Sequence, residues 1–384
     1  TQPQPPRLKV MIVVTHLLGT GHLARAMTLA RAFGAAGHAV CVVSGGMPVA
    51  HLDSSGFELV QLPALRSDGV DFTRLLDTEG AVASPSTMQQ RTDQLIITLN
   101  SIRPDVLITE LFPFGRRNLR HEFGALLTAA RTQQPKPLIL SSIRDILAPP
   151  SKSSKVSFAH DTIQTDYDAV LVHSDPNVTP LDRSWPVDPD LKRKLHYTGF
   201  VAPPAPRAHP TQLGKGEILV SAGGGDVGAR IFETALEAAR LLPQHTWRIL
   251  VGGQAAQATA TRLSQNAPLN VVIEPARPVF RPMLHHARAS VSMCGYNTAL
   301  YVLQTGVAAV FITFDAGAEV EQGIRAEALK ALDGVEVVLA RDLEAQRLCN
   351  AVHASVAAPR RPAQTDGMHG AQDTVAYVEG RCAP

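Results

Sequence analysis

Residues 291–325 read VSMCGYNTALYVLQTGVAAVFITFDAGAEVEQGIR. The short run at 289–293 predicts a buried parallel strand, and Gly295 turns it into a helix that stops near Gly306. A second buried strand, 308–314, leads through Asp315, Gly317 and Glu319 into another helix carrying Glu321, Gln322 and Arg325. Strand, helix, strand, helix in that order builds a parallel sheet with right-handed crossovers. In such an open sheet, polar groups just past the carboxyl ends of the strands line the ligand crevice, and helix amino termini there attract phosphate. The stretch therefore reads as half of a binding site, with Gly295, Asn297 and Thr298 at its first helix start.

The same pattern extends upstream. A strand is expected at 217–221, followed by Ala222-Gly223-Gly224-Gly225-Asp226-Val227-Gly228 and a helix through Leu242, then strands at 247–251 and 270–273. At the head of the chain, the β-branched run 8–15 (LKVMIVVT) stops at His16-Leu17-Leu18-Gly19-Thr20-Gly21-His22 and continues through an apolar-faced helix to a strand at 38–44. Strands at 58–62, 105–109, 138–142 and 169–173, with helices near 87–102 and 117–130, make the first half doubly wound as well. The dinucleotide fingerprint GxGxxG is a rival reading of Gly19 and Gly21, but it fails: Ala24 stands where the third glycine belongs, and the strand ends in Ser44-Gly45-Gly46 with no carboxylate for a ribose. The stretch around Pro203, Pro204, Pro206 and Pro210 cannot be the interior of an element and reads as a linker. The expected layout is a loose tail at 1–7, an α/β domain at 8–199, the linker at 200–214, a second α/β domain at 215–368 and a closing helix within 369–384.

Length and composition fit this division. A chain of 384 residues exceeds one ordinary core, and 45% hydrophobic with 18% charged residues is a globular composition. A net charge of +2 gives no argument for nucleic acid. No apolar run approaches the roughly 20 residues of a membrane span. Cys41, Cys294, Cys349 and Cys382 lack metal-ligand spacing, and the polar, proline-rich start has no secretion-signal core, so a reducing cytoplasm is the expected location.

Taken together, the glycine loops at 19–22 and 223–230 and the stretch at 291–325 resemble GT-B glycosyltransferases of the MurG type, whose carboxyl-terminal domain belongs to glycosyltransferase family 28, and more closely a group of uncharacterised bacterial relatives. The likeness covers most of the chain. It implies two Rossmann-like domains facing a cleft, with a nucleotide-sugar donor, a UDP-sugar first of all, on the second domain and an unidentified acceptor on the first. The final helix would cross back to the first domain. It implies an inverting transfer that needs no cofactor and no metal, since GT-B enzymes usually neutralise the leaving group with helix dipoles and basic side chains. Two other readings stay open: a nucleotide-sugar hydrolase of the PseG type, and a catalytically degenerate nucleotide-sugar binder. Oligomeric state is not readable.

Individual residues carry the chemistry. Successive glycines at Gly223, Gly224 and Gly225, with Asp226 at a helix start, let backbone amides approach a diphosphate closely. The resembling family has GGSQGAR there, of which Gly228, Ala229 and Arg230 remain. His22, after Gly21, is a candidate base because an imidazole with a pKa of about 6.5 can accept a proton near neutrality. His16 in the same loop and Glu110 at a strand end are its rivals. By resemblance, Glu321 and Gln322 hydrogen-bond the donor sugar, and Tyr301 stands where the family has a ribose-binding glutamate, a bidentate contact that a phenol cannot make. Arg277 and Arg281 either meet base and phosphate or are surface arginines. In LFPFGRRNLRH, Phe114 with Arg116 and Arg117 either forms an apolar and basic surface for a lipid phosphate at the membrane, or Phe112 and Phe114 are core. Asp145, ending another strand, is a further candidate for acceptor contact.

Overall fold

The computed structural model describes residues 6–17, 20–49, 53–68, 74–222, 226–253, 255–314 and 320–383, with the backbone alone at 226 and 227. The chain divides into two units, Thr1–Val201 with Gly367–Pro384, and Ala202–Asp366.

In the first unit, β1 (Lys9–Val14), β2 (Ala39–Gly46), β3 (Glu58–Leu65), β4 (Val106–Glu110), β5 (Leu138–Arg144), β6 (Ala169–His173) and β7 (Leu195–Tyr197) form one sheet. Its order is β3-β2-β1-β4-β5-β6-β7, with every pairing parallel. Parallel strands need crossovers that cover both faces, which is why β1, β4 and β6 are mostly apolar and, apart from Lys9, buried. On one face, α1 (Gly21–Ala35) packs through Leu23, Met27 and Phe33. On the other lie α2 (Pro85–Ile102), α3 (Arg120–Thr132) and α4 (Ser153–Asp166), through Leu95, Leu99, Phe123, Leu126 and Ile163. The short α5 (Pro189–Lys194) leads into β7. Pro85 follows the cap Ser84, whose hydroxyl takes the Thr87 N–H at 3.1 Å, so α2 starts where its first free amides are provided for.

Arg91 on α2 is fully buried and binds Glu122 of α3 through two bonds of 2.9 and 2.8 Å. It also donates to the carbonyl of Gly45 at 2.8 Å. A Cβ on Gly45 would stand 2.5 Å from this guanidinium, so the glycine at the end of β2 is what admits it.

In the second unit, α6 (Asp226–Leu241), α7 (Ala256–Ser264), α8 (Phe280–Met283), α9 (Tyr296–Thr305), α10 (Val320–Leu329) and α11 (Ala345–Ala357) surround a sheet of β8 (Ile218–Ala222), β9 (Trp247–Val251), β10 (Val271–Pro275), β11 (Ala289–Ser292), β12 (Ala308–Thr313) and β13 (Val335–Leu339). The order is β10-β9-β8-β11-β12-β13, again parallel. Its core joins α6 and α11 through Phe232, Leu236, Leu348 and Val352. Helix α9 ends at Gly306, whose φ of 66° is the left-handed cap expected of a glycine.

The proline-rich stretch lies along this second unit. Prolines lack N–H groups but keep their carbonyls, and these accept from side chains: Pro203 from Gln304 at 2.8 Å, Pro204 from Arg281 at 2.7 Å and Pro206 from His285 at 2.7 Å. The last helix, α12 (Gly370–Cys382), returns to the first unit, where Val375 and Val378 pack into the α1 core. A Cβ on Gly370 would meet the Gly199 carbonyl at 2.4 Å, so the crossing is closed by a residue without a side chain.

Candidate active site

In each sheet the strand order reverses once, between β1 and β4 in the first unit and between β8 and β11 in the second. Carboxyl ends of strands at such a switch point are where open α/β sheets bind ligands.

At the first switch point, Glu110 ends β4 and His22 opens α1. Their side chains meet, with Nδ1 of His22 2.9 Å from Oε1 of Glu110. Arg25, one turn along α1, donates to the same oxygen, and the Ser142 hydroxyl donates to Oε2 at 2.9 Å. Burial alone would raise the Glu110 pKa, but Arg25 and then His22 outweigh it and hold the carboxyl well below the usual range. For His22, burial is the larger effect and pushes the pKa down to about 4. The imidazole is therefore neutral near pH 7 and carries one ring proton. Nδ1 faces an ionised carboxylate, so the proton sits there, and the Arg25 nitrogen 3.1 Å away is an approach rather than a bond. That leaves Nε2 with its lone pair, on a side chain 14% exposed. It meets no partner among the described residues.

The other first-unit candidates separate into two groups. Arg116, in a left-handed conformation with φ 58°, donates to the Thr15 carbonyl at 2.6 Å, and burial pushes it down to about 10 against the pull of Glu110. Arg144 also acts on His22, so three guanidiniums, Arg25, Arg116 and Arg144, bear on this pair. His16 is buried over Gly46, with Nδ1 unpartnered among the described residues and its pKa lowered, by burial first. Asp145 is buried and accepts the Ile146 N–H at 2.7 Å. Arg117 donates to the Phe114 carbonyl at 2.8 Å. Phe114 meets Trp185 edge-on at 5.2 Å and Phe112 stacks on Phe123 at 4.5 Å, so both rings are core. The apolar and basic surface expected around Phe114 is not formed by these rings, because the strand end turns them inward.

At the second switch point lies a pocket of about 400 Å³. Ser221 and Ala222 end β8, Ser292 ends β11, and Gly295, Thr298 and Gln322 come from the starts of α9 and α10. Leu250, Gly252, Ala276, Arg277, Phe280 and Met293 complete the lining. Two of its polar atoms, Oγ of Ser292 and Oε1 of Gln322, are buried without a partner among the described residues. Gly295 caps α9 with no side-chain bond, so the free amides of that turn remain open to an anion. The preceding turn is fixed by the buried Arg325, which donates to the Cys294 carbonyl at 2.9 Å.

Of the residues singled out in the sequence, Arg277, Gly295, Thr298 and Gln322 come together here. Arg277 is held at the rim by Glu274, at 2.7 and 2.6 Å, and Glu274 also takes Arg248 at 2.9 Å. Glu321 lies beside Gln322 on the first turn of α10, Asn297 and Arg230 are exposed on their helices, and Gly21 opens α1 in the first unit. Tyr301 does not line the pocket; the Arg281 guanidinium lies 4.7 Å above its ring and is tied to Pro204 and Gln304. Gly223, Gly224 and Gly225 lie outside the described residues, as does the Asp226 side chain. Ser292, Phe280 and Met293 escaped the sequence reading because they sit in or beside runs that look like core.

The sequence holds two Asp-x-Asp tripeptides, at 166–168 and 188–190, and both are occupied structurally. Asp166 binds Arg131 and Asp168 takes the Ile139 N–H; Asp188 caps α5 and Asp190 binds Arg193. Among the described residues no three His, Cys, Asp or Glu side chains group as metal ligands, and no helix is long and apolar enough to cross a membrane.

This architecture has known counterparts. Residues 219–377 match the glycosyltransferase family 28 C-terminal domain. That match takes in most of the second unit and runs on into α12. The UDP-N-acetylglucosamine--N-acetylmuramyl-(pentapeptide) pyrophosphoryl-undecaprenol N-acetylglucosamine transferases of Brucella suis (strain ATCC 23445 / NCTC 10510) and Brucella abortus (strain S19) are 30% identical over 143 residues, 36% of this chain. The match spans 38% of the length of those relatives. Among solved structures, MurG of Acinetobacter baumannii superposes with a TM-score of 0.64 at 17% identity, covering 98% of this chain and 100% of that one. The calicheamicin glycosyltransferase does so at 0.62 and 17% over the same shares, and VinC, solved with dTDP, at 0.61 and 14% over 98% and 96%. The whole chain thus has the GT-B fold, and its carboxyl-terminal part is similar to family 28.

Proposed function

We propose that the protein is an inverting glycosyltransferase that takes a sugar from a nucleoside diphosphate sugar. The observation that carries this reading is the pocket of the second unit, in the stretch similar to family 28, where Ser292 Oγ and Gln322 Oε1 are buried and unpaired among the described residues. A ligand rich in hydroxyls and phosphate supplies what such atoms lack. In this proposal the diphosphate rests on the amides of residues 223–226 and the start of α9. Thr298 faces the nucleoside, Arg277 the base, and Gln322 with Glu321 the sugar.

Chemistry then falls to His22. Its Nε2 takes the proton of an acceptor hydroxyl as that oxygen bonds to the anomeric carbon, and the bond from that carbon to the diphosphate oxygen breaks in the same step. The nucleoside diphosphate leaves with the electron pair, and the configuration inverts. Glu110 holds the imidazole in the Nδ1–H form and stabilises the imidazolium. The guanidiniums of Arg25, Arg116 and Arg144 favour an acceptor with an anionic group, of which the pyrophosphoryl-undecaprenol in the name of the Brucella relatives is one example. Uridine as the base, the cytoplasm as the compartment, and the membrane face as the place of work for a lipid acceptor belong to the same proposal.

The test has two steps. Melting shifts with UDP, dTDP, GDP and ADP select the donor base. Release of the diphosphate from matching sugar donors is then followed with and without a polyprenyl diphosphate glycan. A shift with none of the four nucleotides overturns the donor site, and full-rate release of free sugar in the absence of acceptor replaces transfer with hydrolysis.

A further inference from the structure

Behind the His22–Glu110 pair the first unit buries a line of side chains that no step above uses. The Ser142 hydroxyl, on β5, donates to Oε2 of Glu110 at 2.9 Å. Nε2 of His173, on β6, lies 2.8 Å from that hydroxyl, and its Nδ1 lies 2.8 Å from Oγ1 of Thr198. Ser142 and His173 have no exposed surface and Thr198 has 2%. His173 ends β6, Thr198 follows β7 and Ser142 lies two residues before the end of β5, where register puts it directly beside Glu110.

One arrangement of the protons along this line keeps the Ser142 donor on the carboxylate. Ionised Glu110 only accepts, so the single Ser142 proton points at Oε2. The Ser142 oxygen must then accept from His173, which places a proton on Nε2. Burial, helped by Arg25, pushes the His173 pKa down to about 3, so the ring is neutral and Nδ1 must accept from Thr198. Thr198 thereby directs its hydroxyl away from the Gly199 carbonyl, which also lies at 2.8 Å. Every donor from Thr198 to Ser142 faces the carboxylate, and His22 Nδ1–H faces it from the other side.

We infer that Ser142 and His173 are positioning residues, a buried chain that orients the Glu110 carboxylate and sets how basic His22 is. The inference rests on His22 as the base of the proposed transfer. Its physical content is a charge balance: the Ser142 bond draws negative charge toward Oε2 and away from the oxygen that faces His22. Removing it makes Oε1 a stronger partner for a protonated imidazole, so the His22 pKa rises. Among the charged and titratable groups facing His22 are Glu110, Arg25 and Arg144, and among those facing His173 are Arg25, Glu110 and His196; the substitution replaces none of these.

The experiment needs no substrate. Full-length protein labelled with 15N-histidine is titrated between about pH 3 and 8 by long-range 1H–15N NMR, which reads the protonation state and tautomer of each ring. Single His→Gln variants assign the signals. Expected are a neutral His22 protonated on Nδ1 and a neutral His173 protonated on Nε2. In Ser142→Ala the His22 midpoint moves up by about half a unit or more, whereas His173→Gln, which retains an N–H toward Ser142, moves it less than His173→Leu. A His173 proton on Nδ1, or a wild-type His22 midpoint in Ser142→Ala, overturns the inference. Should Ser142→Ala not fold, the His173 tautomer of the unaltered protein still decides. Absence of diphosphate release would sink the transfer reading and leave this result standing, and a negative NMR result would leave transfer untouched.

Discussion

The two switch points solve opposite problems with the same fold. In the first unit both oxygens of Glu110 and Nδ1 of His22 already have partners. In the second, Ser292 Oγ and Gln322 Oε1 are buried at the pocket with none among the described residues. A group that moves a proton works best when its surroundings are fixed before substrate arrives. A group that binds leaves its hydrogen bonds for the ligand to complete, and each unmade bond costs about 1–3 kcal/mol until then. Saturation marks the proposed catalyst, and deficit marks the proposed binding pocket.

The contrast breaks most readily at His22. His22→Ala is expected to lower the transfer rate by about 10²–10⁴-fold, the usual worth of a general base. The melting shift given by the nucleoside diphosphate stays as in the unaltered protein. A loss of both would show that His22 serves donor binding instead. Acidity sharpens the point. Since burial holds the His22 pKa at about 4, kcat/KM is expected to stay level through pH 6.5 and fall only as pH approaches 4. The sign for stability is the same: between about 6.5 and 4 the unfolded chain takes up a proton that the folded one refuses, so stability is lost as pH falls through that window. A rate limb centred near 6.5 would mean a solvated imidazole.

The next effect is structural. Arg91→Met removes the fully buried partner of Glu122 and the bond to Gly45 at the end of β2. Leaving one buried charge uncompensated costs about 3–5 kcal/mol, measured as a shift in the urea midpoint with the slope unchanged. The donor-induced melting shift of the second unit should survive wherever the protein remains folded.

These two sites were unequally legible in the sequence. Strand, glycine loop and helix follow from local chemistry, so the runs at 247–251 and 308–314 and the helix after Asp226 could be placed within a residue or two. Short strands such as β7 and β13 gave little periodicity and went unplaced. His22 and Glu110 stood out because each is a titratable residue at an element end. Their pairing did not, because it depends on β4 lying next to β1, a contact between residues far apart in the chain. Arg25, Ser142 and His173 were hidden for another reason: polar residues inside apolar runs look like surface alternation until the sheet shows them turned toward one carboxylate. Phe112 and Phe114 were left open between surface and core, since aromatic residues beside arginines suit either, and the direction of the chain after β4 decides for core.

At the pocket the expected effects are smaller and separate its two unpaired atoms. Gln322→Ala is expected to weaken the sugar donor by about 1–2 kcal/mol, within the range for a lost hydrogen bond in a buried site, while the free nucleoside diphosphate binds as before. Equal weakening of both ligands would move Gln322 from the sugar to the nucleotide.

Ser292→Ala is the smallest change and gives the sharpest contrast, because its sign depends on whether ligand is present. Without ligand, the variant loses a buried hydroxyl that bonds to nothing described, so its melting temperature should stay level or rise. With saturating nucleoside diphosphate, the unaltered protein recovers that hydrogen bond and the variant cannot, so the ligand-induced shift should shrink by the equivalent of about 0.5–1.5 kcal/mol. Ser142→Ala in the first unit should do the reverse: it destabilises the free protein and leaves the nucleotide shift alone. If the two serines behaved alike, the division between a saturated and an unfilled site would be wrong. If only Ser292→Ala destabilised the free protein, its hydroxyl would have a partner within the fold, and the pocket would lose one of the two atoms that argue for a polar ligand.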